Sequence, residues 1–472
     1  MRPGVSRHIA ADQALSRAAG APLVDGNDVR VLRDGAENYP AWLAAIEAAE
    51  SFVHFDSYIV HDDRTGQLFA DALIARARSG VRVRVVYDWV GALRATPRAF
   101  WYRLEDAGIE VRAFNPPSPL RPLAWLSRDH RKMLAVDGRV AFVSGLCVGD
   151  DWVDTPGRPA WRDTGVEIRG PAVADVHDTF AEIWAASGGA PLPDDERPPR
   201  QSVPRCGDVA LRVIGSTPAT AAMLRLDALV AGLARERLWI TDAYFVGLPS
   251  YVQALTAAAA DGVDVRLLVP GASDLPVVRS LTRAGYRGLL EGGVRVFEWN
   301  GPMVHAKTAV ADSHWARVGS TNLNLQSWMG NWELDVAIED VAVAGALERM
   351  FEQDLQTATE VVLGPRRRVT PAAGAPGRAR GGRRGQRQGR PSRAAAGALR
   401  LGHTVGAALT ATRPLGAAET PTLVGGGLLL VLLAGLALWQ PAWLAYPVGL
   451  AALWLGLSLL ASALRTSGRG PG

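Results

Sequence analysis

Residues 130–137 (HRKMLAVD) and 305–312 (HAKTAVAD) spell one pattern twice, His-x-Lys-x-x-x-x-Asp. Small residues follow each Asp seven and eight positions on, Ser144 and Gly145 in the first copy and Gly319 and Ser320 in the second. Flanking segments repeat as well. Asp56-Ser57-Tyr58 lines up with Asp242-Ala243-Tyr244, Gly80-Val81 with Gly262-Val263, and Gly108-Ile109 with Gly293-Val294. A pattern that returns in the same order requires a fold built from two copies of one unit.

The lysines sharpen this. Of 51 Lys plus Arg, only two are lysine, Lys132 and Lys307, and they occupy equivalent places in the two copies. Lys is a compact point charge with three donors, whereas Arg is a broad planar fork. Two sites in a chain otherwise given over to Arg therefore demand that compact charge.

The elements around the motifs alternate. Residues 29–32, 52–60, 81–87 and 109–114 read as strands, and residues 38–49, 67–77 and 100–107 as helices between them. Residues 211–214 and 238–246 begin the same order again. Alternating strands and helices imply crossover units and a largely parallel sheet in each half. Residues 188–204, rich in Pro and Gly, read as a linker.

These residues resemble the phospholipase D superfamily, whose signature is His-x-Lys-x4-Asp-x6-Gly-Ser/Gly in two copies. The second copy matches in full through Gly319, Ser320 and Asn322; the first departs at Cys147, which stands where the second copy has Asn322. Within the superfamily, HRKMLAVDGRVAFVSG, the Gly149-Asp150-Asp151-Trp152 segment and WRDT at 161–164 are most similar to bacterial cardiolipin synthases. The resemblance implies an α/β fold of two tandem phospholipase-D-like domains. The expected divisions are an N-terminal extension (1–27), a first domain (28–187), a linker (188–207) and a second domain (208–363). An Arg/Gly/Ala-rich disordered linker (364–420), a transmembrane hairpin (421–464) and a tail (465–472) follow.

A phosphodiester is negatively charged and repels nucleophiles, so its cleavage needs cations at the non-bridging oxygens, a nucleophile, and an acid for the leaving oxygen. Two His and two Lys supply these. No His, Cys or carboxylate group has metal-ligand spacing, so no metal or cofactor is expected. Lys132, Lys307 and Asn322, helped by Ser320, are expected to grip the phosphate. The resemblance implies His130 as nucleophile and His305 as acid and base. Each ring also needs a carboxylate to hold its far nitrogen. By spacing, Glu333 lies 28 positions after His305 and Asp163 lies 33 after His130, with Asp151 and Asp154 as further candidates. Asp137 and Asp312 complete the catalytic motif, and the turn after each motif strand is the other place for them. His54, His61, His177 and His314 lack the Lys partner and read as packing or surface residues. Cys147 reads as a small buried hydrophobe or a weak contact to the site.

Residues 116–128 (PPSPLRPLAWLSR) form an insertion before the first motif that the second half lacks. They read as a loop packed on the body or as a lip that inserts Leu120, Leu123, Trp125 and Leu126 among lipid headgroups.

The basic charge is concentrated in one place. Residues 366–413 hold twelve arginines and no acid, and without them 39 basic residues face 47 acidic, turning net +4 into −8. That argues against a broad nucleic-acid face, which needs clustered Lys and Arg, and for an arginine tract that binds anionic membrane. Residues 421–464 carry no Asp, Glu, Lys, Arg or His. One helix of 44 residues would be about 66 Å long, twice the roughly 30 Å hydrocarbon core. Two passes, 422–439 and 442–464, broken at Gln440-Pro441, fit better. Basic flanks on both sides place both ends in the cytoplasm. The expectation is an enzyme of the bacterial inner membrane with cytoplasmic catalytic domains and phospholipid substrates, phosphatidylglycerol foremost. A hydrolytic phospholipase D and a nuclease of the same superfamily would use the same motif.

Overall fold

The computed structural model describes residues 3–117, 124–218, 220–364 and 368–371, with Tyr446, Leu450, Leu453 and Trp454. Residues 118–123, the arginine tract beyond residue 371 and nearly all of the expected hairpin lie outside the described residues; residues 368–371, in the linker expected to be disordered, form a strand held by backbone pairing. Among those described, no helix is long and apolar enough to cross a membrane. Tyr446, Leu450, Leu453 and Trp454 are helical and exposed.

Each half builds one sheet. The first half contributes β1 (Val24–Arg33), β2 (Phe52–Ser57), β3 (Arg82–Asp88), β4 (Glu110–Phe114), β5 (Arg128–Asp129), β6 (Lys132–Val136), β7 (Val140–Ser144) and β8 (Thr164–Arg169). Their spatial order is β4-β3-β2-β6-β7-β8-β1. The second half contributes β9 (Val209–Ser216), β10 (Arg237–Thr241), β11 (Asp264–Pro270), β12 (Arg295–Trp299), β13 (Thr308–Ala311), β14 (Trp315–Gly319), β15 (Asn331–Glu339), β16 (Ala358–Gly364) and β17 (Arg368–Pro371). The order β12-β11-β10-β13-β14-β15-β9 repeats that of the first sheet, with β16 and β17 added beyond β12. β1 and β9 pair antiparallel and join the two sheets.

The sheets are mixed, which corrects the expectation of largely parallel ones. Within each half only β2, β3 and β4, and their counterparts β10, β11 and β12, pair parallel, each joined to the next through a helix that makes the crossover. The motif strand then returns antiparallel: β6 meets β7 through a tight turn, and β13 meets β14 likewise. Asp137 and Asp312 occupy those turns with φ of 54° and 49°. The Asp137 carboxylate accepts from the amides of Glu50, Ser51 and Phe52 at 2.7–2.9 Å. Asp312 accepts from Arg235, Glu236 and Arg237 at 2.8–3.0 Å. Both sit at the far end of a strand from the motif lysine, so their place is in the turn and not at the reaction centre.

Side chains alternate across these strands as the pleat requires. Met133 and Ala135 face a central core shared with Ala316, Val318, Val336 and Ile338 of the second sheet. Phe180 and Phe351, from helices Val173–Ala186 and Val341–Gln356, fill the same core. Leu134 and Val136 face outward onto helices Asp34–Glu47 and Arg64–Arg78, through Trp42, Phe69 and Leu73. The second sheet packs its outer face on Leu226, Leu255 and Leu289 of its own helices. The expected N-terminal extension includes helix Pro3–Ala19, whose Leu15 and Ala19 join this last core. Two short 3-10 turns within 188–207 pass over the first half, with Leu192, Glu196 and Val203 buried.

Candidate active site

His130 and His305 line one cavity of about 820 Å³, formed where the two halves meet. What brings them together is backbone pairing between halves. β5 runs parallel to β15, so the His130 amide donates to the Trp332 carbonyl at 2.9 Å. On the other side Arg162 bridges Val304, and the His305 amide donates to the Arg162 carbonyl at 2.7 Å. Each histidine is thus laid against the segment that carries the other half's carboxylate.

The consequence is a crossed arrangement. His130 Nδ1 lies 2.9 Å from Glu333 Oε2, and His305 Nδ1 lies 2.7 Å from Asp163 Oδ2. The spacing argument matched each carboxylate to the histidine of its own copy, and the geometry reverses that. Chain spacing measures separation along one unit and says nothing about pairing across a duplicated interface. Asp151 and Asp154 hold neither ring; Asp151 pairs with Arg158, and Asp154 accepts from the Ala160 amide at 2.7 Å.

Each carboxylate is itself fixed. Ser320 Oγ donates to Glu333 at 2.6 Å and Asn331 Nδ2 donates at 3.0 Å. Trp152 Nε1 donates to Asp163 at 3.0 Å, and the Thr164 amide at 2.8 Å. The two halves solve the same problem differently. A Cβ on Gly145 would meet Asp163 Oδ1 at 2.2 Å, so the position equivalent to Ser320 must be glycine in the first copy.

Charge follows geometry. Burial pushes His130 down to about 4, against the Glu333 carboxylate that works the other way. Burial and the Lys307 ammonium lower His305 too. Burial alone would raise both carboxylates, yet His130 and Lys132 hold Glu333 below its ordinary value, and His305 and Lys307 do the same for Asp163. Near neutral pH His130 is therefore a neutral imidazole whose Nδ1–H donates to an ionised carboxylate, leaving Nε2 as the basic nitrogen.

Both lysines are buried and both donate to the carbonyl of the histidine two residues earlier. Lys307 Nζ also lies 3.0 and 3.1 Å from the two ring nitrogens of His305. Burial, with Lys132 as a nearby like charge, brings Lys307 down to about 8. Lys132 Nζ stands 5.2 Å over the Tyr58 ring and Lys307 Nζ 5.8 Å over the Tyr244 ring. The same tyrosines meet His130 and His305 edge-on at 4.9 and 5.8 Å. Tyr58, Tyr244, Trp152 and Asn331 were not among the residues expected at the site. The repeat that aligns Asp56-Ser57-Tyr58 with Asp242-Ala243-Tyr244 carried the signal for the first two.

Asn322 and Cys147 line the cavity at equivalent positions, and both are buried. The Asn322 Oδ1 has no hydrogen-bond partner among the described residues. His61 also lines the cavity, while His54 and His177 lie buried elsewhere and His314 is exposed. Among the described residues no cluster has the makings of a metal site. Leu126, Leu275 and Leu325 line the cavity while remaining about half exposed.

Two tandem α/β units that share one paired His-Lys site define a phospholipase-D-type enzyme. The cardiolipin synthase, PLD-like domain family matches residues 42–184 and 231–355. Cardiolipin synthase A of Pseudomonas aeruginosa is 34% identical over 383 residues, covering 78% of this chain and 76% of that protein. Cardiolipin synthase of Alkalihalophilus pseudofirmus is 32% identical over 348 residues, covering 72% and 68%. A crystal structure of phosphatidylserine synthase from Haemophilus influenzae shares the fold, with a TM-score of 0.61 at 16% identity, covering 74% of this chain and 92% of that one. The chain belongs to the cardiolipin synthase family of phospholipase-D-like proteins, and with it to the phosphatidyltransferase and phospholipase D class of enzymes.

Proposed function

We propose that the protein is a membrane-anchored cardiolipin synthase that transfers a phosphatidyl group to a lipid alcohol through a phosphohistidine. His130 Nε2 attacks phosphorus, and the departing glycerol oxygen takes a proton from His305. Phosphatidylglycerol then enters as acceptor, His305 removes the proton from its hydroxyl, and that oxygen displaces His130 from phosphorus. Two phosphatidylglycerols thereby become one cardiolipin and one glycerol. Lys132, Lys307 and Asn322 hold the non-bridging oxygens, and Ser320 acts through Glu333.

The observation that carries this reading is the crossed pair His130–Glu333 and His305–Asp163 across one cavity. Two imidazoles held identically but from opposite sides suit in-line displacement, in which one nitrogen attacks while the other serves the leaving oxygen. The names of the relatives support the lipid substrate. The apolar stretch 421–464, with its basic flanks, supports an anchor in the bacterial cell membrane, both ends cytoplasmic and the catalytic body on that side. The arginine tract before it would add attraction to anionic lipid.

The deciding experiment gives purified full-length protein vesicles of phosphatidylglycerol and follows all products. Cardiolipin with equimolar glycerol is expected. Phosphatidic acid as the main product would make the enzyme a hydrolase.

A further inference from the structure

A second cavity, of about 380 Å³, lies between helices Asp34–Glu47 and Arg64–Arg78 and shares Trp152 with the catalytic cavity. Its walls are mostly apolar, with Tyr39, Pro40, Leu43, Phe69 and Val153 among them. At its rim Leu68 is 50% exposed. Apart from the exposed Arg64 at its edge, the polar residues around it are already engaged. Asp34 binds Arg162 and the Asp163 amide, Thr65 donates to Asp150, and Asp154 accepts from Ala160. A ligand with its own hydrogen-bonding groups would find few converging partners here, so the groove suits an apolar one.

Trp152 links the two spaces. The residue lines both, and its Nε1 donates to the carboxylate that holds His305. A molecule with a polar head in the catalytic cavity and an apolar tail in the groove would pack on Trp152 from both sides. We propose that the groove is the seat of one fatty acyl chain of the phosphatidyl lipid whose phosphate is being transferred. This rests on the phosphatidyltransferase reading above. The chain does more than add affinity: packed against Trp152, it steadies the residue whose Nε1 is aimed at Asp163, so chain length governs kcat as well as KM.

The test uses the full-length protein and phosphatidylglycerol carrying a photoactivatable diazirine in one acyl chain. Crosslinks are expected on peptides containing Leu43 or Leu68 and Phe69. Leu43→Trp fills the groove and should remove those crosslinks. Each buried methylene is worth roughly fourfold in affinity, so displacing two or three predicts about a 30-fold loss of kcat/KM on dioleoyl lipid. Soluble dihexanoyl phosphatidylglycerol, too short to reach the groove, should turn over within about twofold of wild type. Should Leu43→Trp melt at a much lower temperature, Ala36→Leu serves as the milder filling. Crosslinks confined to other peptides, or equal losses on long and short lipids, would overturn the acyl seat. Wild-type protein that labels at Leu68 but makes no cardiolipin would sink the transferase reading and leave the groove as a lipid site.

Discussion

Glu333 holds His130 across 203 positions of chain, from the opposite half of the duplication. Asp163 holds His305 in the mirrored sense across 142. Neither half therefore contains a complete His–carboxylate pair, and each depends on the other for the orientation of its imidazole.

This crossing sorts the variants. His130→Ala and His305→Ala should each lower kcat by on the order of 10⁴-fold or more, since residues acting as one unit fail together. Glu333→Gln keeps the shape but loses the charge that fixes the tautomer, and should cost roughly 10²–10⁴-fold. Quenched reactions examined by mass spectrometry give the finer test. With His130 as nucleophile, Glu333→Gln should suppress the phosphoenzyme, whereas Asp163→Asn should let it accumulate. Label on His305, or the two carboxylate variants exchanging behaviour, would reverse the roles.

Much of this was legible beforehand. The two motifs, their lysines and both carboxylates can be read directly as residues of the sequence. The crossing was not legible, because it arises from β5 lying beside β15 and Arg162 beside Val304. β5 is two residues long, far below what any periodicity can signal. The mixed sheet was missed for a related reason. Residues 132–144 read as apolar strand whichever way the chain runs, and only the tight turn capped by Asp137 sets the direction.

The lysines give a second prediction. Lys132 and Lys307 are enclosed by a histidine, a tyrosine ring and backbone, a space that fits an ammonium. Lys132→Arg and Lys307→Arg conserve charge but bring a wide planar group that cannot take the same seat. Each should lose roughly 10²–10³-fold in kcat/KM. Activity within threefold of wild type for either would remove the compact-charge argument.

The pH profile follows from the directions of the shifts. His130, at about 4, stays neutral and nucleophilic well below the ordinary range for histidine. Lys307, at about 8, loses its charge earlier than an ordinary lysine. In kcat/KM, which reports the free enzyme, the acid limb should fall near pH 4 and the alkaline limb no higher than about pH 8, since His305 must also carry the proton it gives and burial lowers it. A profile still climbing through pH 9 would show that Lys307 neutralisation does not limit catalysis.

A stability prediction concerns two histidines outside the site. The Gly138 amide donates to His177 Nε2 at 3.2 Å, so that nitrogen is an acceptor and Nδ1 carries the proton. His177 Nδ1–H then donates to His54 Nδ1 at 2.9 Å, and His54 Nε2–H to Glu196 at 3.1 Å. The whole chain is buried, with Arg82 and Arg84 closing on Glu196. Burial lowers both histidines, for His54 against the pull of Glu196. The unfolded chain, with histidine near 6.5, therefore binds more protons than the folded one below that value. Their contribution to stability is complete above about pH 6.5 and declines as pH falls below it. Melting temperature should drop between pH 7 and 5, and His177→Phe should melt lower at pH 7 but with a shallower pH slope. An unchanged slope would place the proton uptake elsewhere.

The last prediction concerns the choice between acceptor alcohol and water. A phosphohistidine exposed to solvent is hydrolysed, so a transferase must keep water out until the acceptor hydroxyl is seated. Leu126, Leu275 and Leu325 come from three separate segments, line the catalytic cavity, and stay 50%, 47% and 57% exposed. Apolar side chains cost free energy in water and are expected to be covered when the enzyme works. Lipid packed on these residues would seal the mouth with its own acyl chains and deliver the acceptor from the same surface. Replacing all three with Ser should leave the phosphoenzyme able to form but let water compete. On phosphatidylglycerol vesicles, the ratio of phosphatidic acid to cardiolipin should then rise by roughly tenfold, the penalty of about 1.4 kcal/mol expected from losing part of the apolar cover. Total turnover should change less than the ratio does. An unchanged ratio would mean that exclusion of water is achieved within the cavity, by the Tyr58 and Tyr244 rings beside the two histidines.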